Sequence, residues 1–261
     1  MTDDAVCLFS PLFEQQGIVH GFSTRRGGVS RPPYDSLNLS PNVGDDPASV
    51  AGNLSRFGRR LGVDPGRIFT VSQIHGSRII TVGSGARPEN IRNEKADGLV
   101  VALPGSGVGV RTADCVPILL ATEDGRCVAA VHAGWRGLVR GVIASGVKAL
   151  CRESGLSPAK LLAAIGPCIG PCCYEVGPDL AQAFSEQGLE ACIERRGSLR
   201  ADLRKGARLM LDREGLRPSH IDLIDRCTAS CSDLFFSYRR DRGKGGRQLN
   251  VIATGPDQGR G

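Results

Sequence analysis

Three residues stand where metal or nucleophile chemistry is commonly built. They are His75 in Gln73-Ile74-His75-Gly76, Cys115 closing Thr112-Ala113-Asp114-Cys115, and His132 in Val131-His132-Ala133-Gly134-Trp135-Arg136-Gly137. A His/Cys/His set is soft to borderline and suits Zn²⁺, or copper. Three protein ligands leave a fourth position open, as in catalytic zinc sites, where the ion activates water or polarises a substrate oxygen. The spacing is not that of a compact finger and by itself fixes no site, because a strand-end His or Cys is more often structural. The context favours chemistry: all three fall at expected strand ends beside glycine-rich turns.

Gly134 and Gly137 bracket Trp135-Arg136 at the start of an expected helix. A helix N-terminus offers unpaired N–H groups and a positive dipole end to an anion, and Arg136 would add to it. The plainer alternative is a turn with a solvated arginine and a packed tryptophan. Arg25, Arg26, Arg111, Arg239 and Arg240 are further candidates for a phosphate or carboxylate site. In Gly166–Gly177 (GPCIGPCCYEVG), adjacent Cys172 and Cys173 should point apart, so the segment reads as buried thiols in a rigid loop lining a pocket. Glu175 is either an acid/base group or the partner of an arginine. Cys227 and Cys231 have a spacing some zinc sites tolerate, with no second pair beside them. Cys7, Cys127, Cys151 and Cys192 read as scattered thiols, and His20 and His220 as structural.

The elements that must position these groups follow from patterning. Short apolar runs bounded by turns predict strands over 68–71, 78–82, 98–102, 107–111, 117–121, 127–131 and 161–165, with later ones near 221–224 and 249–253. Helices are expected over 46–61, capped by Asp45 or Asp46, and over 138–151, 178–187 and 199–214. Residues 17–46 are rich in Gly, Pro, Ser and Asn and read as loop. Strands and helices interleave, yet several strand pairs are joined by short turns, so the sheet should be mixed rather than purely parallel.

The 261 residues suffice for a large core, and no repeat or Pro/Ser-rich linker divides them, so a single domain over 1–261 is expected. The net charge of +6 is far from the dense basic patches of nucleic-acid binders but is compatible with anionic small substrates. No run is long and apolar enough for a membrane span, and MTDDAVCLFSPLF lacks a basic signal region. The ten cysteines are therefore expected as free thiols in a reducing cytoplasm.

Taken together, HGFSTRRGGVS (20–30), SLNLS with NVGDD (36–46), QIHG (73–76), ADGLV (96–100), TADCVPILL (112–120), VHAGWRG (131–137), GPCIGPCCYEVG (166–177) and FFSYRRD (235–241) resemble the YfiH-like laccase-domain family. They occur in the family's order and span almost the whole chain. The resemblance implies an α/β fold of mixed sheets in a central sandwich flanked by helices (α-β-β-α layers), in the cysteine-hydrolase superfamily. It implies zinc held by His75, Cys115 and His132, with Cu²⁺ as the other candidate; Arg25, Asn38, Arg136 and Glu175 are the candidate substrate contacts. It further implies purine nucleoside phosphorolysis of adenosine, inosine and 5′-methylthioadenosine, with accompanying adenosine deamination. Cys168 departs from the pattern, in which a small residue such as Ala is expected.

Phosphorolysis would use a nucleoside beside the metal and phosphate among the arginines. Deamination would need a proton shuttle, for which Glu175 and Asp114 are the nominees. Three rivals stay open: a peptidoglycan-precursor hydrolase with Cys115 as nucleophile, a copper-dependent polyphenol oxidase, and a zinc-stabilised binding module. The four histidines are too few for a trinuclear copper centre. Small molecules are the expected partners, without nucleic acid or membrane, for a monomer or weak homodimer.

Overall fold

The run Val116–Thr122 is apolar at almost every position, as a strand covered on both faces must be. Val116, Ile118 and Leu120 enter one core, while Leu119 and Ala121 enter another. The rest of the molecule is arranged around this two-sided strand. The structure, a computed structural model, describes residues 6–256, so the ends of the expected 1–261 domain lie outside the described residues. In chain order the elements are β1 (Cys7–Leu8), α1 (Pro11–Gln15), β2 (Val19–Ser23), α2 (Pro47–Leu61), β3 (Ile68–Phe69), β4 (Ile79–Val82), α3 (Pro88–Ile91), β5 (Gly98–Val101), β6 (Gly107–Thr112), β7 (Val116–Thr122), β8 (Val128–Ala133), α4 (Trp135–Val139), α5 (Val142–Ser154), β9 (Leu161–Ile165), α6 (Pro178–Glu186), β10 (Ile193–Arg196), β11 (Ser198–Ala201), α7 (Leu203–Arg213), β12 (Ile221–Leu223) and β13 (Gln248–Ala253).

One sheet has the order β12-β9-β7-β8-β5-β4 and the other β1-β2-β13-β6-β3. Each is mixed: β12–β9, β4–β5 and β3–β6 are parallel and the remaining pairs antiparallel. The sheets face one another across a core that holds Phe22, Val108, Val110 and Ile252 from one and Leu99, Leu119, Val128 and Leu162 from the other. Outside the first sheet, α5, α6 and α7 bury Val147, Leu150, Phe184 and Leu211. Outside the second, α2 buries Phe57 and Leu61 against Leu249 and Val251. The layers are thus helix, sheet, sheet, helix. Among the described residues no helix is long and apolar enough to cross a membrane.

Three expectations are corrected. The helix over 138–151 is two helices, α4 and α5, separated at Gly141 in the left-handed region at φ 75°. The helix over 199–214 begins only at Leu203, where the Asp202 side chain accepts from the Arg204 and Lys205 amides. Ser198–Ala201 before it is a strand in a hairpin with β10. Residues 17–46 hold a strand, β2, between β1 and β13. By contrast Asp46 caps α2 as expected, accepting from Ser49 N–H.

Candidate active site

Cys115 ends the short turn between β6 and β7. Asp114 before it has φ 93°, a region costly for a residue with a Cβ. That conformation is held from outside: the buried Asp114 carboxylate accepts from Thr228 Oγ1 at 2.6 Å, Ser237 Oγ at 3.0 Å and the Arg239 amide at 2.7 Å. Val116 pairs with Ala133 across β7 and β8, which puts Cys115 opposite Gly134. A Cβ on Gly134 would stand 2.9 Å from His75 Cδ2 and 3.0 Å from Cys115 Sγ, so glycine is needed for this close approach.

His75 lies in the loop between β3 and β4, also left-handed at φ 59°. The fully buried carboxylate of Asp97, just before β5, fixes that loop. It accepts from the Ile74, His75 and Gly76 amides at 3.3, 2.8 and 2.6 Å, and from His132 Nδ1 at 2.9 Å. One carboxylate therefore holds both histidines in place and turns His132 Nε2 toward the site, the arrangement that orients metal-binding imidazoles. The two rings meet nearly edge-on, centroids 4.8 Å apart. Cys115 Sγ is 3.8 Å from His75 Nε2, and one donor atom each from His75, Cys115 and His132 lie within 4.8 Å of one another. Zinc bonds of ~2.0–2.3 Å place tetrahedral N and S donors about 3.3–3.5 Å apart, so a modest closing of the set would fit zinc with a fourth position open.

The electrostatics follow from those contacts. Burial works against charge on Asp97, but the His132, Gly76 and His75 bonds outweigh it and hold the carboxyl below its ordinary range. Burial likewise opposes ionisation of Cys115, yet His132 and His75 bring its thiol down to about 6. His132 is the complement: burial lowers it, while Cys115 and Asp97 raise it to about 9. The opposite shifts favour thiolate and imidazolium together; a metal would take the place of the imidazolium proton.

The donor set lines a cavity of about 640 Å³ whose wall also carries Arg111, Arg136, Arg239 and Arg247. Among the described residues none of the four makes an ion pair with a carboxylate. Three are laid over aromatic rings that line the same cavity: Arg136 over Trp135 at 4.6 Å, Arg239 over Tyr174 at 5.0 Å and Arg247 over Tyr238 at 5.6 Å. The fourth, Arg111, donates Nε to Leu39 O, and burial lowers its pKa to about 10. Burial also lowers that of Arg247. Desolvated cations lacking a carboxylate favour an anionic ligand.

Of the expected substrate residues, only Arg136 reaches this wall. Arg25 is bonded to Asp35 and Ser232 and stacked on Phe236, beside a separate small depression. Asn38 is fully buried, its amide bonded to Ser40, Asp45 and the Arg247 amide, so it shapes the adjoining loop. The Glu175 side chain is largely exposed near Arg200, and its carbonyl takes a bond from Arg239. Neither Glu175 nor Asp114 is placed as a proton shuttle, since the first is off the cavity wall and both Asp114 oxygens are committed. Arg26 pairs with Asp233, and Arg240 is tied to Asp241 and three carbonyls. Sequence reasoning did not single out Asp97, Arg247, Tyr174 or Tyr238. Asp97 alone had a signal, a carboxylate immediately before the apolar strand Gly98–Val101. The remaining histidines do not join the site: His20 bonds to Ser10 and Ile18, and His220 to Leu161.

Comparison with known proteins gives a consistent picture. A family model described as multi-copper polyphenol oxidoreductase laccase matches residues 19–255. A purine nucleoside phosphorylase of Streptomyces coelicolor is 38% identical over 232 residues, covering 88% of this chain and 93% of that protein. The purine nucleoside phosphorylase YfiH of Escherichia coli is 37% identical over 235 residues, 89% of this chain and 92% of that one. Among solved structures, the Bacillus licheniformis hypothetical protein YfiH superposes with a TM-score of 0.89 at 31% identity, covering 97% and 98% of the two chains. YlmD from Geobacillus stearothermophilus superposes with a TM-score of 0.88 at 33% identity, covering 98% of each.

Proposed function

This chain belongs to the multi-copper polyphenol oxidoreductase laccase family, and on that premise we propose that it is a zinc-dependent purine nucleoside phosphorylase. Adenosine, inosine and 5′-methylthioadenosine would be cleaved by phosphate to the base and the sugar 1-phosphate, with adenosine deamination as a side activity. The observation that carries this reading is that a single cavity holds the His75–Cys115–His132 donor set and four arginines that, among the described residues, have no carboxylate partner.

His75, Cys115 and His132 would hold the ion, which when bound would supply a Lewis acid to the cavity. Asp97 keeps the His132 proton on Nδ1 and so keeps Nε2 aimed at the site. The arginines gather phosphate and orient it; its oxygen bonds to the anomeric carbon as the glycosidic bond breaks and the electron pair leaves on the purine. The aromatic wall provides faces for the base. The Tyr174 hydroxyl, pushed up to about 12 chiefly by burial, keeps its proton at neutral pH and can donate to the departing base. All ten cysteines are free thiols, which supports a reducing cytoplasm as the place of action.

Chromatography of inosine and adenosine reactions, with and without phosphate, tests the reading beside a His132→Ala control. Phosphate-dependent hypoxanthine and adenine, absent with the variant, are expected; inosine formed from adenosine without phosphate would report the deaminase. No base released by folded, zinc-loaded protein would sink the proposal.

A second reading has one observation behind it. Cys115 beside an Asp97-oriented His132 is also a nucleophile and base. That would suit a hydrolase acting on a peptidoglycan precursor. Activity that survives complete chelation would favour it, because a metal-bound thiolate is a poor free nucleophile.

A further inference from the structure

Apart from the cavity, a second group of soft donors gathers at the Gly170–Cys173 turn. Adjacent cysteines should point apart, yet here Cys172, Cys173 and Cys227 each bring a sulfur within 4.8 Å of the others. The turn explains it: the Cys173 and Tyr174 amides both donate to Gly170 O, which curls the chain back on itself. Cys227 arrives from the other side, where its segment is bridged to Cys168 and Thr228 N–H donates to Cys168 O. The Gly170 amide donates to Cys227 Sγ at 3.2 Å, the kind of contact that supports a thiolate. Gly170 is closely packed, since a Cβ there would stand 3.0 Å from Arg204 Nη2 and 3.4 Å from Cys172 Sγ.

As thiolates, three sulfurs this close would repel one another, so that state calls for a cation among them. With metal–sulfur bonds of ~2.3 Å, a trigonal three-sulfur shell needs sulfurs about 4.0 Å apart, a contraction of under ~1 Å from the observed limit. Among the described residues no fourth His, Cys, Asp or Glu donor joins the group. That disfavours Zn²⁺, whose structural sites want four ligands, and favours cuprous copper, which soft thiolates select. Cys172 is exposed while Cys227 is buried, so an ion can enter from solvent and be held from within. Arg204, whose guanidinium stands beside the cluster while pairing with Asp202 and Asp225, and Arg200, which donates to Cys172 O, bring positive charge to the edge of such a complex.

We propose that Cys172, Cys173 and Cys227 form a second metal site, separate from His75–Cys115–His132, that binds one cuprous ion through three thiolates. Binding takes three thiols and Cu⁺ to a tris-thiolate complex and releases three protons, and no electron is transferred. The inference does not depend on the reaction at the first site.

The test is an anaerobic titration of the reduced full-length protein with Cu⁺ against bicinchoninate, in a Cys115→Ser background that removes the first site's thiolate. One tightly held equivalent is expected, with ultraviolet sulfur-to-copper charge-transfer absorption. Adding Cys172→Ser or Cys227→Ser should weaken it at least ~100-fold. Cys172 is exposed, so its serine variant keeps the fold and decides the matter even if the buried Cys227→Ser does not. No copper held against the competitor, or retention unchanged by Cys172→Ser, overturns the proposal. A Cys172–Cys227 disulfide formed in air by a protein that binds no Cu⁺ when reduced would overturn it in favour of a thiol pair.

Discussion

His20 and His132 are both buried on strands, at 2% and 3% exposure, yet they are opposites chemically. His20 donates Nδ1–H to Ile18 O, accepts the Ser10 amide at Nε2, and is ringed edge-on by Phe9, Phe13 and Phe22. Burial dominates there and lowers its pKa. His132 is as deeply buried, but it faces Asp97 and Cys115, and its pKa rises to about 9. Burial alone therefore does not decide whether a histidine is inert. A carboxylate behind the ring and a thiol in front convert a core residue into a site residue, and an adjoining cavity gives it something to act on.

Exchanging the roles of the two residues is the strongest way to break this comparison. His132→Ala should abolish metal retention and lower turnover by about 10³-fold or more with little change in fold, while His20→Ala should destabilise by about 2–4 kcal/mol and leave turnover per folded molecule near wild type. Steady-state kinetics beside urea unfolding check both; a folded but inactive His20→Ala would undo the contrast. Asp97→Asn should move His132 toward the His20 condition, its pKa falling, with metal affinity down roughly 10–100-fold. Ring-proton NMR and a competing chelator read the two effects. Gly134→Ala probes packing alone, because Gly134 has an ordinary φ of −73° but no room for a methyl. A loss of roughly 10–100-fold in kcat at nearly unchanged Tm is expected. Arg136→Ala should raise KM for phosphate by about tenfold and leave KM for the nucleoside almost unchanged, whereas Arg25→Ala should do neither.

The smallest effect is in stability against pH. In metal-free protein the raised His132 contributes stability fully below its unfolded value of 6.5 and loses it as pH rises through about 9. The depressed Cys115 contributes above its unfolded value of 9.0 and loses this as pH falls through about 6. Between about 6.5 and 9 the two slopes oppose, since the proton one group gives up the other keeps. Cys115→Ser removes the rising half and leaves only Asp97 to hold His132 up, so its urea midpoint should fall with pH relative to wild type over the lower part of that window. Parallel curves would mean that Asp97 does not hold His132 above 6.5 without the thiol.

Most of the sheet framework was legible because apolar runs such as Val116–Thr122 and Leu161–Ile165 can satisfy two-sided burial only as strands. Val19–Ser23 was not, because its His, Gly and Ser residues mask a strand whose longer pairing, with β13, lies far away in sequence. The helix expected from 199 starts only at Leu203 because Ser198–Ala201 pairs in a hairpin with β10, and the Asp202 cap was the missed start signal. Motif context drew attention to His75, Cys115 and His132, which the fold brings together from three separate loops and strands. The anion wall was only partly legible. Whether an arginine is tied to Asp35, as Arg25 is, or laid over Tyr238, as Arg247 is, depends on tertiary neighbours that no local pattern encodes.

The single carboxylate of Asp97 has a kinetic consequence. It clamps the 74–76 loop and the His132 ring at once, so two of the three donors are locked before any ion arrives. Zinc fingers order their chain as they capture the metal, and their folding and loading are one event. Here capture finds the ligands already in register, so the ion should enter and leave a standing framework, with occupancy following local supply rather than the history of how the chain folded.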